Sequence, residues 1–216
     1  VLCFSATASF SVAAITAMIG IAAFKQVKRP RELMVAAVPV LFAAQQAVEG
    51  SLWLQLSSGN GSTTSAAGLA FTFLIFAVVL WPIYPALAVL SIEPAHRRRV
   101  VLSGIAVSGC LLSAYLFGAL VNDPPVAVIR DHSIAYPSDV SPFSWRQVPY
   151  LLCTCGPSLM SSHKTIRTFG LIVLLGFAVS AYAYYWAFIS VWCFFAAAGS
   201  SVLYFHFKRE AIMANG

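Results

Sequence analysis

Runs of about twenty apolar residues, each long enough to cross the ~30 Å hydrocarbon core of a bilayer as a helix, recur along this chain with short basic segments between them. Seven are readable: 5–24, closed by Lys25; 34–56; 67–91, with Pro82 and Pro85; 100–121, between an Arg triplet and Asn122-Asp123-Pro124-Pro125; 147–162; 169–187; and 189–207, followed by Lys208-Arg209. The fifth is only marginally long and holds Pro149, Gly156 and Pro157. Such a span is tolerated only where protein or water satisfies the freed carbonyls, and a re-entrant segment is the alternative. Composition agrees with a membrane protein. Hydrophobic residues make up 60% and charged residues 9%, against roughly 25% charged in an average soluble domain. A soluble enzyme, a nucleic-acid module, a disordered tail and a disulfide-stapled secreted domain are all excluded.

Charge supplies the orientation. With seven spans, the loops 25–33, 92–99 and 163–168 and the C-terminus share one side, and they carry eleven of the 13 Lys and Arg residues. Arg130 and Arg146 alone fall on the other. The expected fold is therefore all-α and polytopic: one seven-helix transmembrane domain over 1–216, N-terminus outside and C-terminus cytoplasmic. The fifth span is kept because removing it would scatter Lys164, Arg167, Lys208 and Arg209. In the first span the positive charge follows the apolar stretch, whereas a signal peptide carries it before, so cleavage is not expected. The formal net charge of +6 is attributed to loops beside anionic headgroups, not to nucleic acid.

Residues 122–146 form the one long loop, facing outside. VAVI (126–129) and HSIAY (132–136) read as two short strands around Arg130-Asp131, fenced by Pro124, Pro125, Pro137 and Pro142. A β-hairpin lid over an outward pocket is the functional expectation, since loops this long usually have a role; a plain connector is the bland one. Arg-Asp is a poor pair for the tight turn.

Glu49 is the one ionisable residue well inside any span. An ionisable group at bilayer depth costs at least ~2.5 kcal/mol on insertion scales and marks function by default. Gln45, Gln46 and Trp53 lie four, three and four residues from it, so the four share one helical face. Gly50 next to it permits close approach by a neighbour. Counting depth from the outer helix ends at 1.5 Å per residue brings Thr72, Tyr115, Cys153, Thr154, Tyr182 and Trp192 level with Glu49, with Ser5 and Cys3 slightly above. The expected substrate-binding set is Glu49, Gln45, Gln46, Trp53, Thr72, Tyr115, Tyr182 and Trp192; the bland alternative for Glu49 is a protonated packing contact.

No cofactor and no catalytic or metal constellation is expected. His163 and His206, near the cytoplasmic ends of the last two spans, are the one pair that adjacent helices could bring together for a haem or metal; zinc would need more ligands. Cys153 and Cys155 sit about 200° apart on a helix and do not converge. Trp81-Pro82 and Pro85 should bend the third helix. Gly104-xxx-Ser108 and Ala197-xxx-Ser201 read as small-residue packing faces, and Trp53, Trp145, Tyr185 and Trp186 as an outer aromatic belt.

The segments CFSATASFS, KRPREL, LFAAQQAVEG and FISVWCFFAA resemble a group of uncharacterised bacterial multi-span proteins that open Met-Cys-Phe-Ser-Ala. This chain departs from the group in carrying Val1-Leu2 ahead of Cys3. No activity comes with the resemblance, and the expected location is a bacterial inner membrane. Seven spans also suggest rhodopsins, but 189–207 has no lysine to form a retinal Schiff base. Three functions stay open: a transporter or channel with an outward-facing pocket around Glu49; a non-catalytic subunit of a larger membrane complex; and an intramembrane enzyme or lipid-binding protein. The expected partners are the bilayer and a second copy or larger complex.

Overall fold

The computed structural model describes residues 4–59, 63–124, 126–136 and 147–213, with the side chains of 209–213 excepted. Cys3, Pro125, Pro137, Pro142, Trp145 and Arg146, named above, lie outside the described residues. The chain is mostly helical. Helices α1 (Ala6–Phe24), α2 (Leu33–Ser57), α3 (Thr64–Leu74), α4 (Trp81–Ile92) and α5 (His96–Asn122) precede a hairpin of β1 (Val128–Arg130) and β2 (Ser133–Ala135). Helices α6 (Gln147–Thr154), α7 (Gly156–Met160), α8 (Lys164–Ala183), α9 (Phe188–Ser200) and α10 (Tyr204–Met213) follow. Among the described residues six continuous helical stretches are long and apolar enough to cross a membrane: Ala6–Phe24, Pro30–Ser57, Thr64–Ile92, His96–Asn122, Lys164–Ala183 and Tyr185–Lys208.

The expected fifth span takes a different form, two short helices of eight and five residues that break at Cys155. Pro157 explains the break: its ring excludes the carbonyl four residues earlier, which is Cys153. The inner end of this segment is tied down by its neighbours. Arg98 donates to the Met160 carbonyl and to the Ser162 hydroxyl, both at 3.0 Å.

The third span bends as its prolines require, by a specific device. Ile75–Leu80 winds as a π-helix that joins α3 to α4. Pro82 cannot donate to the Val78 carbonyl and would collide with it in a regular helix; the wider turn removes the collision. Side chains from outside the helix satisfy carbonyls in this stretch. Tyr150 of α6 donates to Ala77 O, and Ser113 of α5 donates to Val79 O at 2.8 Å. The backbone itself is approached at Gly109, where a Cβ would stand 2.1 Å from the Pro82 oxygen. The small-residue face that α5 uses inside the chain is therefore at Gly109. The expected face at Gly104 and Ser108 is exposed, with no heavy atom within 4 Å of a Cβ at Gly104.

The two ends of the bundle differ. At the basic end, Glu93 joins two turns: its carboxylate accepts from the Ser162 N–H (2.8 Å), the Ser162 hydroxyl (2.5 Å) and the Ala95 N–H (3.3 Å). Burial pulls this carboxyl upward, but those bonds and the charge of Arg98 outweigh it and hold the group below its ordinary pKa. The turn at 25–32 joins the same end through Ser91, which donates to Arg31 O at 2.7 Å.

At the opposite end the hairpin closes the bundle. Its register pairs Val128 with Ala135 and Arg130 with Ser133. The turn residues are Asp131 and His132, both at positive φ (46° and 58°), one position later than the sequence suggests. Asp and His tolerate the left-handed region better than Arg, which accounts for the shift. The Phe4 N–H donates to His132 O at 3.2 Å, tying the start of α1 to the hairpin. Strand β2 is buried and β1 is exposed, so the hairpin lies on the bundle by one strand.

Candidate functional site

Helix α2 packs along α1, α3, α4 and α9 and turns its polar stripe into that junction. Gln45, Gln46 and Glu49 are essentially inaccessible (0%, 0% and 1% exposed), and Trp53 is buried beside them. Gly50 faces α1, where a Cβ would meet the Phe10 ring at 2.9 Å, so the glycine lets α1 lie close against this part of α2.

Both Glu49 oxygens accept hydrogen bonds: Oε1 from the Ser190 hydroxyl at 2.5 Å and Oε2 from Gln46 Nε2 at 3.0 Å. One turn toward the basic end, Gln45 is fully engaged. It accepts from Trp81 Nε1 at 2.7 Å and donates to Cys193 Sγ at 3.3 Å. Ser190 and Cys193 are three residues apart on α9 and share the face turned to α2. The network thus joins α2, α4 and α9 through side chains alone.

The hairpin seals this network from its own end. Tyr136 is buried, stacked on Phe73 of α3 with ring centroids 5.3 Å apart and planes 3° from parallel. Burial first, and then the neighbouring Glu49 and Cys193, push its phenol well above the usual tyrosine value, so the hydroxyl keeps its proton. Tyr136 OH and Gln46 Oε1 are buried without a hydrogen-bond partner among the described residues. One is a donor and the other an acceptor, and an unsatisfied buried polar group costs about 1–3 kcal/mol.

On the other side of Gln45 a cleft opens into the half of the bundle nearer the basic loops. Phe42, Trp81, Tyr150, Phe169, Trp192 and Cys193 line it. Trp81 and Cys193 belong both to the cleft and to the Gln45 network, so the carboxyl lies one helical turn behind the cleft's deep wall.

The expected site residues divide. The structure brings together Glu49, Gln45, Gln46 and Trp53, and it sets Trp192 in the cleft, where Nε1 donates to Val173 O at 2.9 Å. Thr154 also lines the cleft. Thr72, Tyr115 and Tyr182 do not join: all three are exposed on the bundle's outer surface, Tyr115 at 68% and Tyr182 at 88%. They share a depth with Glu49 but point away from it, because depth along a helix says nothing of direction around it. Among the described residues, Tyr136 and β2 lie buried at the hairpin end, where the outward pocket is expected, and the cleft lies toward the basic end.

Ser190, Cys193, Trp81 and Tyr136 belong to the site without having been expected there. A serine three residues before a cysteine in an apolar run was the available signal for the α9 pair; Tyr136 had none beyond its place in the hairpin. His163 and His206 are brought together, ring centroids 4.8 Å apart at 84°. Among the described residues no group of three His, Cys, Asp or Glu is placed to hold a metal ion.

Residues 2–215 match a family of unknown function, DUF6629, and the chain belongs to that family. This agrees with the resemblance to an uncharacterised family carried by its first and last segments. No curated protein and no solved structure matches the chain.

Proposed function

We propose that the protein is a small integral membrane transporter in which Glu49 binds and releases a proton or cation between two halves of unequal access. The observation that carries this reading is the position of the carboxyl: closed over by Tyr136 on the hairpin side, one helical turn from an open cleft on the other. A binding site near mid-bundle with one side shut is the arrangement alternating access requires. Gln46 equips the carboxyl for both protonation states. Its amide N–H donates to the ionised form; turned over, its carbonyl oxygen would accept from the protonated one. Ser190 can likewise donate or accept. The unpartnered Tyr136 hydroxyl and Gln46 oxygen supply one donor and one acceptor for a small polar guest beside Glu49.

The reading includes seven crossings in a bacterial cytoplasmic membrane, N-terminus outside. The chain leaves α5 at the hairpin end and enters α8 at the basic end, which supports a seventh crossing between them although α6 and α7 cover only part of the depth. Lys and Arg gathered at one end support that end as cytoplasmic.

The test is proton flux into liposomes holding the purified protein, driven by a potassium diffusion potential and read with a pH-sensitive dye. Glu49→Gln should abolish the flux and Glu49→Asp retain part of it. Equal flux in wild type and Glu49→Gln at every pH would sink the reading.

A second reading has one observation in its favour. Gly104, Ser108, Leu111 and Tyr115 form an exposed apolar face on α5, which suits packing against another membrane subunit.

A further inference from the structure

Five buried side-chain polar atoms have no hydrogen-bond partner among the described residues: Gln46 Oε1, Ser133 Oγ, Tyr136 OH, Ser180 Oγ and Trp186 Nε1. Their distribution is one-sided. Ser133 lies on β2 and Tyr136 just after it, Trp186 lies in the short turn Tyr185–Ala187 on which β2 packs, and Ser180 in the last turn of α8. These four stand at the hairpin end, and Gln46 lies below them beside Glu49. The basic end holds none of the five; its buried carboxylate, Glu93, accepts three bonds. Buried polar atoms in folded proteins are almost always paired, with protein groups or with ordered water.

Two of the five converge on Glu49. Gln46 donates to the carboxylate through Nε2 at 3.0 Å, so its unpartnered oxygen belongs to the same amide. The Tyr136 phenol is near enough to Glu49 for the carboxylate charge to act on it. Each Glu49 oxygen accepts one bond and has capacity for another. A buried water typically makes about three hydrogen bonds. Here it accepts from Tyr136 and donates to the Gln46 oxygen and to the carboxylate.

A metal cation fits the same place less well. Ser190 and Gln46 aim donors at the carboxylate. That leaves the Glu49 oxygens, Gln46 Oε1 and the Tyr136 hydroxyl, short of the roughly six or more oxygens that calcium or magnesium takes. Water also serves the Gln46 amide in either orientation, because it donates and accepts, whereas a cation accepts only the oxygen. Tyr136 holds its proton, being buried beside Glu49 and Cys193, so it hands one on only while taking another up.

We infer that one water molecule sits among Tyr136, Gln46 and Glu49, and that protons reach the carboxyl from the hairpin side through the Tyr136 hydroxyl and this water. A proton taken up at the Tyr136 oxygen sends the phenol's own proton to the water, and one of the water's to Glu49. Phenol and water end with the hydrogens they began with, and one proton has moved. The inference rests on the transport reading and names its ion as the proton; the water is tested apart from flux.

The test uses the full chain in the liposome assay. Tyr136→Phe keeps the ring on Phe73 and removes only the hydroxyl. It should cut the Glu49-dependent flux at least about tenfold, the order of one lost hydrogen bond. Tyr136→Ala, which lets bulk water approach the carboxyl, should carry flux at or above the wild-type level. A ring that served packing alone would rank the two variants the other way. The water is read directly from a structure of the wild-type protein at a resolution that shows ordered solvent, with thallium(I) present in place of alkali cations. Density within hydrogen-bond reach of both Tyr136 OH and the Gln46 amide, without anomalous signal, is the expected result.

No density there would overturn the inference, and a thallium signal would overturn it in favour of a cation site. Wild-type flux in Tyr136→Phe would overturn the relay and leave the role of Glu49 standing. If Tyr136→Ala fails to fold, Tyr136→Phe and the density decide. Equal flux in wild type and Glu49→Gln would sink the transport reading alone, and the density would then decide the water site.

Discussion

The Ser190 hydroxyl donates to Glu49 Oε1 at 2.5 Å across the contact between α9 and α2, inside the buried core of the bundle. This bond joins residues 141 positions apart and is the one direct side-chain link from α9 to the carboxyl among the described residues. Removing either partner leaves the other unsatisfied. A double-mutant cycle of Ser190→Ala and Glu49→Leu, read by thermal unfolding in detergent, should give a coupling of about 1–3 kcal/mol. Additive effects would mean that the two groups do not meet.

Tyr136 is the plug between the hairpin and the network. Its truncation should open a path from the hairpin end to Cys193, a buried thiol that otherwise meets only the cleft on the basic side. In a variant retaining Cys193 as the sole cysteine, Tyr136→Ala should speed maleimide labelling at least about tenfold, reflecting an opening made easier by about 1.4 kcal/mol. Tyr136→Phe keeps the stack on Phe73 and should label as slowly as the parent. Equal rates in all three would show that the hairpin does not limit access.

Gly109 is the point where α5 rests on the backbone of the bent third helix. An added methyl would fall on the Pro82 carbonyl, which cannot rotate away as a side chain tip would. Gly109→Ala should therefore destabilise by about 1–3 kcal/mol, whereas Gly104→Ala, with open space around it, should be neutral or slightly stabilising. The ranking of the two melting temperatures is the measurement.

Acid should loosen the basic end first. The Glu93 carboxyl is held below its ordinary pKa in the folded protein, so the stability it contributes is present above that ordinary value, about 4.3. It is lost as pH falls through the lower folded value. Glu93→Gln should lower stability at neutral pH and flatten the acid limb of the curve of Tm against pH. An unchanged acid limb would place the sensitivity elsewhere.

Long apolar runs and basic punctuation made six helices legible, because both follow from what a bilayer demands of any chain. The polar stripe on α2 was legible for the same kind of reason: Gln45, Gln46, Glu49 and Trp53 obey the helical period. Proline positions announced a bend in the third span but not its form, since a π turn depends on whether outside hydroxyls, those of Ser113 and Tyr150, arrive to satisfy the carbonyls. What could not be read is direction around each helix. Thr72, Tyr115 and Tyr182 were expected beside Glu49 on depth alone and look outward instead. Ser190 and Tyr136, which do meet it or stand near it, come from segments whose adjacency to α2 is a property of the whole bundle. The turn of the hairpin was misplaced by one residue for a local reason, the backbone tolerance of Asp131 and His132.

The π segment also has a consequence for the helix that contains it. A π turn inserts one residue beyond the regular count, and one residue is about 100° of rotation. The third span is thus two half-helices with their dials set differently. The half before Ile75 presents Ala70 and Phe73 to the plug, and the half after Leu80 presents Trp81, Pro85 and Ala88 to the cleft. Deleting a single residue from Ile75–Leu80 would bring the dials into line. Trp81 would then swing off Gln45, and the plug and the cleft could no longer be served by one continuous helix.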